Sequence, residues 1–287
     1  MSPANKNEDD FPLTYSEESL PPQELYESFL ECQEGINSIP KRNRDQDYYE
    51  SLHRAFKENV RYKKNGQPLF RKRSDAEDSI AKFWLSRVRE AAWFYSAWND
   101  LPQFSGIEAR YLENLARLSI DPGNIPNIAE QLAKAGIILI HERAIPGMKV
   151  DGACFLLETG HPVVALSLRY ARLDIYWFTL LHELAHVVLH HERLTTPILD
   201  DVDDENASLI EAQANRLSSD SLISRSSWRS CNVKYDMSEK SLLEFANRVQ
   251  VHPAIVAGRL QRDLNKHDIF TKIIHSEDTR KIIFGDE

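Results

Sequence analysis

The sequence predicts an α+β fold, with a small antiparallel sheet held between helices. Three observations carry that expectation. Amphipathic helical stretches fill residues 21 to about 136, and three short β-rich runs separated by turn residues follow up to Tyr170. Helical periodicity then resumes at about Leu173 and continues almost to the end. At 287 residues, 42% hydrophobic and 28% charged, the chain is long and apolar enough to bury a proper core. The expected organisation is an acidic disordered tail at 1–20, a helical N-terminal region at 21–120, a core at 121–225 and a C-terminal helical extension at 226–287.

The first helix is PPQELYESFLECQEGI, opened by prolines, and a second helix and a basic loop around residues 61–73 follow it. Ser74 and Glu77 form a capping-box pattern at the head of AEDSIAKFWLSRVREAAWFYSAW. Ile80, Phe83, Trp84 and Val88 lie at helical spacing there, a core-facing stripe. GIEARYLENLARL and PNIAEQLAKAG give two more helices, the second stopped at Gly136. IILIHER, GACFLLET and PVVALSLRY read as strands, with turns at Pro146-Gly147, Asp151-Gly152 and Gly160. PVVALSLRY is the candidate for the edge of the sheet. A long apolar helix from about Leu173, an acidic loop TTPILDDVDDEN and the helix ASLIEAQANRLSSDSLI follow. SEKSLLEFANRVQ and PAIVAGRLQRDLNK form a closing helical pair.

Several function classes fall away on composition. The polar, acidic start has no secretory apolar core, and the most apolar segment carries histidines and glutamates that suit a membrane span poorly. Cys32, Cys154 and Cys231 lie far apart in no metal or redox spacing, which fits a reducing cytoplasm. A net charge of −9 argues against a protein devoted to nucleic acid. The closing pair has a helix-turn-helix rhythm, with Arg248, Arg259 and Arg262 nearby, but reads as structural.

The chemistry concentrates in WFTLLHELAHVVLHHE. His182-Glu183-Leu184-Ala185-His186 is HExxH on a helix, where residues four apart share a face and both imidazoles can reach one zinc ion. Glu183 stands beside that face, placed to take a proton from water activated by the metal. The apolar flanks bury this helix, and buried histidines with a glutamate are costly without a shared partner. His190 fails as third ligand because eight residues of helix rise about 12 Å. His191 points half a turn away from His182, and Glu192 stands where an extended motif would need a third histidine. The third ligand must come from elsewhere. Glu211 on the following helix is favoured, with Asn215 one turn on to orient a ligand, and Asp200, Asp201, Asp203, Asp204 and Glu205 compete from the loop.

HELAH followed by EAQANRLSSDSLI resembles the ImmA/IrrE family of metallopeptidases, whose pattern is HExxH and then a helix of the type E-x-x-A-N-x-F-A-x-x-L-L. The resemblance spans the C-terminal 160 to 200 residues, which are also similar to HigA-like regulators that fuse a helix-turn-helix to this module. Leu217-Ser218 replaces the family's Phe-Ala pair. The resemblance implies a zincin-like domain with His182, His186 and Glu211 as zinc ligands and Glu183 as catalytic base. It further implies a protein substrate, a transcriptional regulator or antitoxin, in phage, toxin–antitoxin or stress control. No helix-turn-helix is evident in residues 1–60, so a separate DNA-binding or toxin partner is expected. The rival expectation is a non-proteolytic antitoxin module with a structural or silent zinc site.

Overall fold

Period-two alternation along Pro162–Leu166 sends Val163 and Ala165 to one side of a sheet and Val164 and Leu166 to the other, and all four are buried. A strand buried on both faces needs a layer on each side. The computed structural model supplies both, and describes residues 21–38, a few between 52 and 60, 75–195, 198–200 and 209–286. The acidic tail, the basic loop at 61–73 and the acidic residues Asp201, Asp203, Asp204 and Glu205 lie outside the described residues.

Four strands form the sheet: β1 (Ile138–His141), β2 (Gly152–Leu156), β3 (Pro162–Leu166) and β4 (Ile198–Asp200), in the order β1-β3-β2-β4. β2 pairs antiparallel with β3 and with β4, but β1 pairs parallel with β3, so the sheet is mixed rather than antiparallel. The cause is the long connection after β1. It carries the chain past one strand position, and β3 returns into the gap beside β1. PVVALSLRY is therefore the interior of the sheet and not its edge; among the described strands the edges are β1 and β4. Asp151-Gly152 is not a turn either, since Gly152 opens β2 opposite Leu166.

On one face lies α2 (Asp75–Trp98), after α1 (Pro22–Ser38), which packs against it. The sequence stripe is its buried face: Ile80, Phe83, Trp84 and Val88 join Val163, Ala165 and Phe155 in one core. The Trp84 indole donates to the Glu142 carbonyl at 3.0 Å, which satisfies its polar atom. On the other face lie α3 (Ala109–Arg117), α4 (Ile128–Ala133) and α5 (Leu173–Leu189), whose core includes Cys154, Val164 and Leu166. Gly136, at φ +72°, stops the segment after α4, and a side chain there would run into the Pro102 and Phe104 backbone.

α5 is the hub. Every residue from Thr179 to Val187 is buried, which marks a helix enclosed on every side, and Leu180, Leu181 and Leu184 are fully buried. Truncating one such leucine to alanine costs about 2–5 kcal/mol. α6 (Leu209–Leu222) packs along it and α10 (Pro253–Leu264) packs across it. Gly258 permits that crossing, because a β-carbon there would collide with the Asp174 carboxylate. Short helices α7 (Arg225–Arg229) and α8 (Val233–Asp236) and then α9 (Glu239–Val249) lead to α10, and α11 (Thr271–Ile274) and α12 (Thr279–Phe284) close the chain. Arg117 donates to the carbonyls of Ser221, Leu222 and Val249, tying the C-terminal ends of α6 and α9 together. α10 is buried through Ala254, Ile255, Val256, Ala257 and Leu260, and Arg259 is held by the Ser219 and Ile223 carbonyls. That pair is a packed structural element. No helix among the described residues is long and apolar enough to cross a membrane.

Candidate metal centre

Spacing of four on α5 brings the His182 and His186 Nε2 atoms to 3.0 Å, with both residues fully buried. Glu211 sits in the first turn of α6, where an acidic residue is favoured by the helix dipole. Its Oε2 lies 3.1 Å from His182 Nε2 and its Oε1 lies 3.5 Å from His186 Nε2. Ligand atoms around a tetrahedral ion with bonds near 2.0–2.1 Å stand about 3.3 Å apart. The three side chains are therefore already spaced to hold a metal ion, and they are the one such group among the described residues. The Glu211 side chain, 22% exposed, marks the side from which solvent reaches the group.

The electrostatics match that assignment. Burial pushes the Glu211 carboxyl up, but hydrogen bonds with His182 and His186, and their charge, outweigh it and hold it at about 2. Burial pushes the His186 imidazole down against the opposing pull of Glu211, favouring the neutral ring that can bind a metal.

His190 has more to do than its sequence position indicated. It caps α5, and its Nδ1 lies 3.1 Å from His186 Nδ1, while its Nε2 lies 2.9 Å from Gln213 Oε1. An amide oxygen only accepts, so His190 carries its proton on Nε2 and donates it to Gln213. Its Nδ1 is then an acceptor, and the partner proton belongs to His186 Nδ1. That leaves the His186 Nε2 lone pair facing the ligand cluster. The His186–His190–Gln213 chain thus selects the tautomer that metal binding needs.

Glu183 is buried on the same helix. Its carboxylate fills the space beside Gly152, where a β-carbon would meet Glu183 Oε1, Glu183 Cδ and Thr179 Cγ2 at 3.0 Å or less. The strand start thus provides a niche for this one side chain.

The remaining sequence candidates fall elsewhere. Asp200 is on β4 opposite Gly152. Asn215 makes no side-chain hydrogen bond to His182, His186 or Glu211 among the described residues, and its carbonyl accepts from Ser218. His191 stacks on Phe104, with ring centroids 5.1 Å apart, and Glu192 is exposed. Arg169 is forked onto Asp151 at 2.7 and 3.1 Å and lies over Tyr170. Sequence reasoning missed Gly152, Gln213 and the tautomer role of His190. The last had a visible signal: His182, His186 and His190 repeat at intervals of four, so neighbouring rings meet even where the outer two cannot.

Residues 133–261 match the Peptidase M78 family model, described as an IrrE N-terminal-like domain. The matched segment contains every residue of the ligand group and of the histidine chain. No curated protein matches the chain.

Proposed function

We propose that the protein is a zinc-dependent endopeptidase of the ImmA/IrrE type, a reading supported by the match of residues 133–261 to the Peptidase M78 family model. Its substrate would be a specific regulatory protein, a repressor or antitoxin, in phage, toxin–antitoxin or stress control. The observation that carries the reading is the convergence of His182, His186 and Glu211 beside the niche that holds Glu183.

Two imidazoles and one carboxylate are a donor set suited to zinc and leave a coordination position open. When bound, zinc supplies Lewis-acid polarisation and makes a nearby water more acidic. The residues of the chain do the rest. His182, His186 and Glu211 hold the ion, and the His190–Gln213 chain fixes the His186 ring. Glu183 accepts a proton from the attacking water and passes it to the leaving amine. Burial of Glu183 keeps bulk water from competing for that proton. A purely structural metal site has no use for a buried carboxylate beside its ligands, and this favours the peptidase over a silent binding module.

The test is incubation of wild type and Glu183→Gln with the regulator encoded beside this protein in its genome, each with and without a chelator. Loss of intact regulator only with metal-loaded wild type is expected. Equal loss with both proteins would sink the reading.

A further inference from the structure

A cavity of about 360 Å³ opens between the first half of α5, the C-terminal end of α6 and α10. It begins one helical turn from the candidate ligand His182, at Phe178 and Thr179; Thr179 also borders the Glu183 niche. Ile175, Phe178, Leu222, Ile223 and Ile255 give it an apolar lining. Four arginines reach it as well: Arg169, Arg172, Arg259 and Arg262.

Three of these cations are engaged. Arg169 is forked onto Asp151, and Arg172 is forked onto Asp174 at 2.8 and 3.0 Å and also meets Gln261. Arg259 donates to two carbonyls and lies over the Trp228 ring. Arg262 differs. Its nearest carboxylate, Asp263, is at 4.0 Å, and its guanidinium lies 4.9 Å over the Phe178 ring. That ring centroid is in turn 6.0 Å from the His182 ring. A guanidinium over an aromatic ring can still direct N–H groups at a carboxylate. Among the described residues of the lining, Asp151 and Asp174 are the acids, against four arginines. The cavity therefore suits an occupant with an apolar stem and an anionic end.

We infer that this cavity selects a glutamate or aspartate side chain immediately beside the scissile bond, with Arg262 reading its carboxylate. This rests on the peptidase reading above and names its substrate preference. The residue's stem packs on Phe178 and Ile255, and its carboxylate meets Arg262 in a charge-assisted pair. Arg262 is a specificity residue; it takes no part in proton transfer.

The test uses two peptide hydroxamates that chelate zinc and differ only in whether the adjacent side chain is glutamate or glutamine, with a lysine version as third probe. Calorimetry on the zinc-loaded full chain needs no turnover. Wild type should prefer glutamate over glutamine by up to about fivefold, the range for a pair with a half-exposed guanidinium. Arg262→Glu should lose that preference and favour lysine, and Arg262→Lys should keep part of it, both with unchanged melting temperature. Equal binding of the glutamate and glutamine probes by wild type, or an unchanged preference in Arg262→Glu, would overturn the inference. Cleavage of the regulator without acidic preference would overturn it too, yet leave the peptidase reading standing.

Discussion

The carboxylate of Glu183 stands where a side chain on Gly152 would have to be. Because the two groups cannot share that space, strand and helix have to agree on one small residue. On the proposed peptidase reading, Gly152→Ala should displace the Glu183 carboxylate by a fraction of an ångström and lower cleavage by roughly a hundredfold or more. Metal affinity should stay within a few-fold of wild type, because no residue of the ligand group is replaced. Wild-type cleavage by Gly152→Ala, measured on the regulator, would show that the niche does not position Glu183.

His190→Ala removes the acceptor that fixes the His186 tautomer and leaves the buried Nδ1–H of His186 without it. Zinc affinity should fall about 10–100-fold, the usual cost of losing such a support. Gln213→Ala should act in the same direction and less strongly. Competition against a fluorescent zinc chelator measures both, and affinity equal to wild type in His190→Ala would remove the chain from the site.

Removal of metal should destabilise the protein, since an ion that binds the folded ligand set contributes nothing to the unfolded chain. A chelator should lower the melting temperature of wild type and of Glu183→Gln by several degrees. Glu211→Ala should abolish that difference. A melting temperature indifferent to chelator in wild type would contradict the metal centre itself.

His141 offers a pH test away from the centre. Burial pushes its imidazole down to about 4, and its Nε2 lies 3.3 Å from the Tyr176 hydroxyl, which donates to the neutral ring. The folded pKa is depressed below the ordinary 6.5, so the unfolded chain binds the extra proton first. The stability held by the neutral ring is complete above pH 6.5 and declines as pH falls towards 4, by roughly 3 kcal/mol in all. Urea denaturation at pH 7 and pH 4 should show a smaller loss in His141→Gln than in wild type. Parallel losses in the two proteins would refute the assignment.

Much of this architecture can be read from local pattern. The stripe Ile80–Val88 and the apolar wrap of α5 report burial directly, and the HExxH spacing reports a shared helix face. Glu211 was ambiguous by spacing, because a ligand on another element depends on packing between helices. The parallel pairing of β1 with β3 left no local trace, since alternation records which face a residue takes and not which strand lies beside it. The role of Gly152 leaves no local trace for a similar reason. Glycine before a β-rich run looks like a turn, and only the approach of Glu183 from α5 reveals that the missing side chain is the point.

The order of strands also dictates an order of assembly. β2 and β3 are joined by a short turn around Gly160 and can zip together from local contacts alone. β1 docks after that hairpin, because its sole partner among the described strands, β3, pairs with it across about 25 residues of chain, as Ile138 opposite Val163. β1, an edge strand in space, is the earliest in sequence and docks after the hairpin. Amide protons of β1 should therefore gain protection during refolding after those shared by β2 and β3.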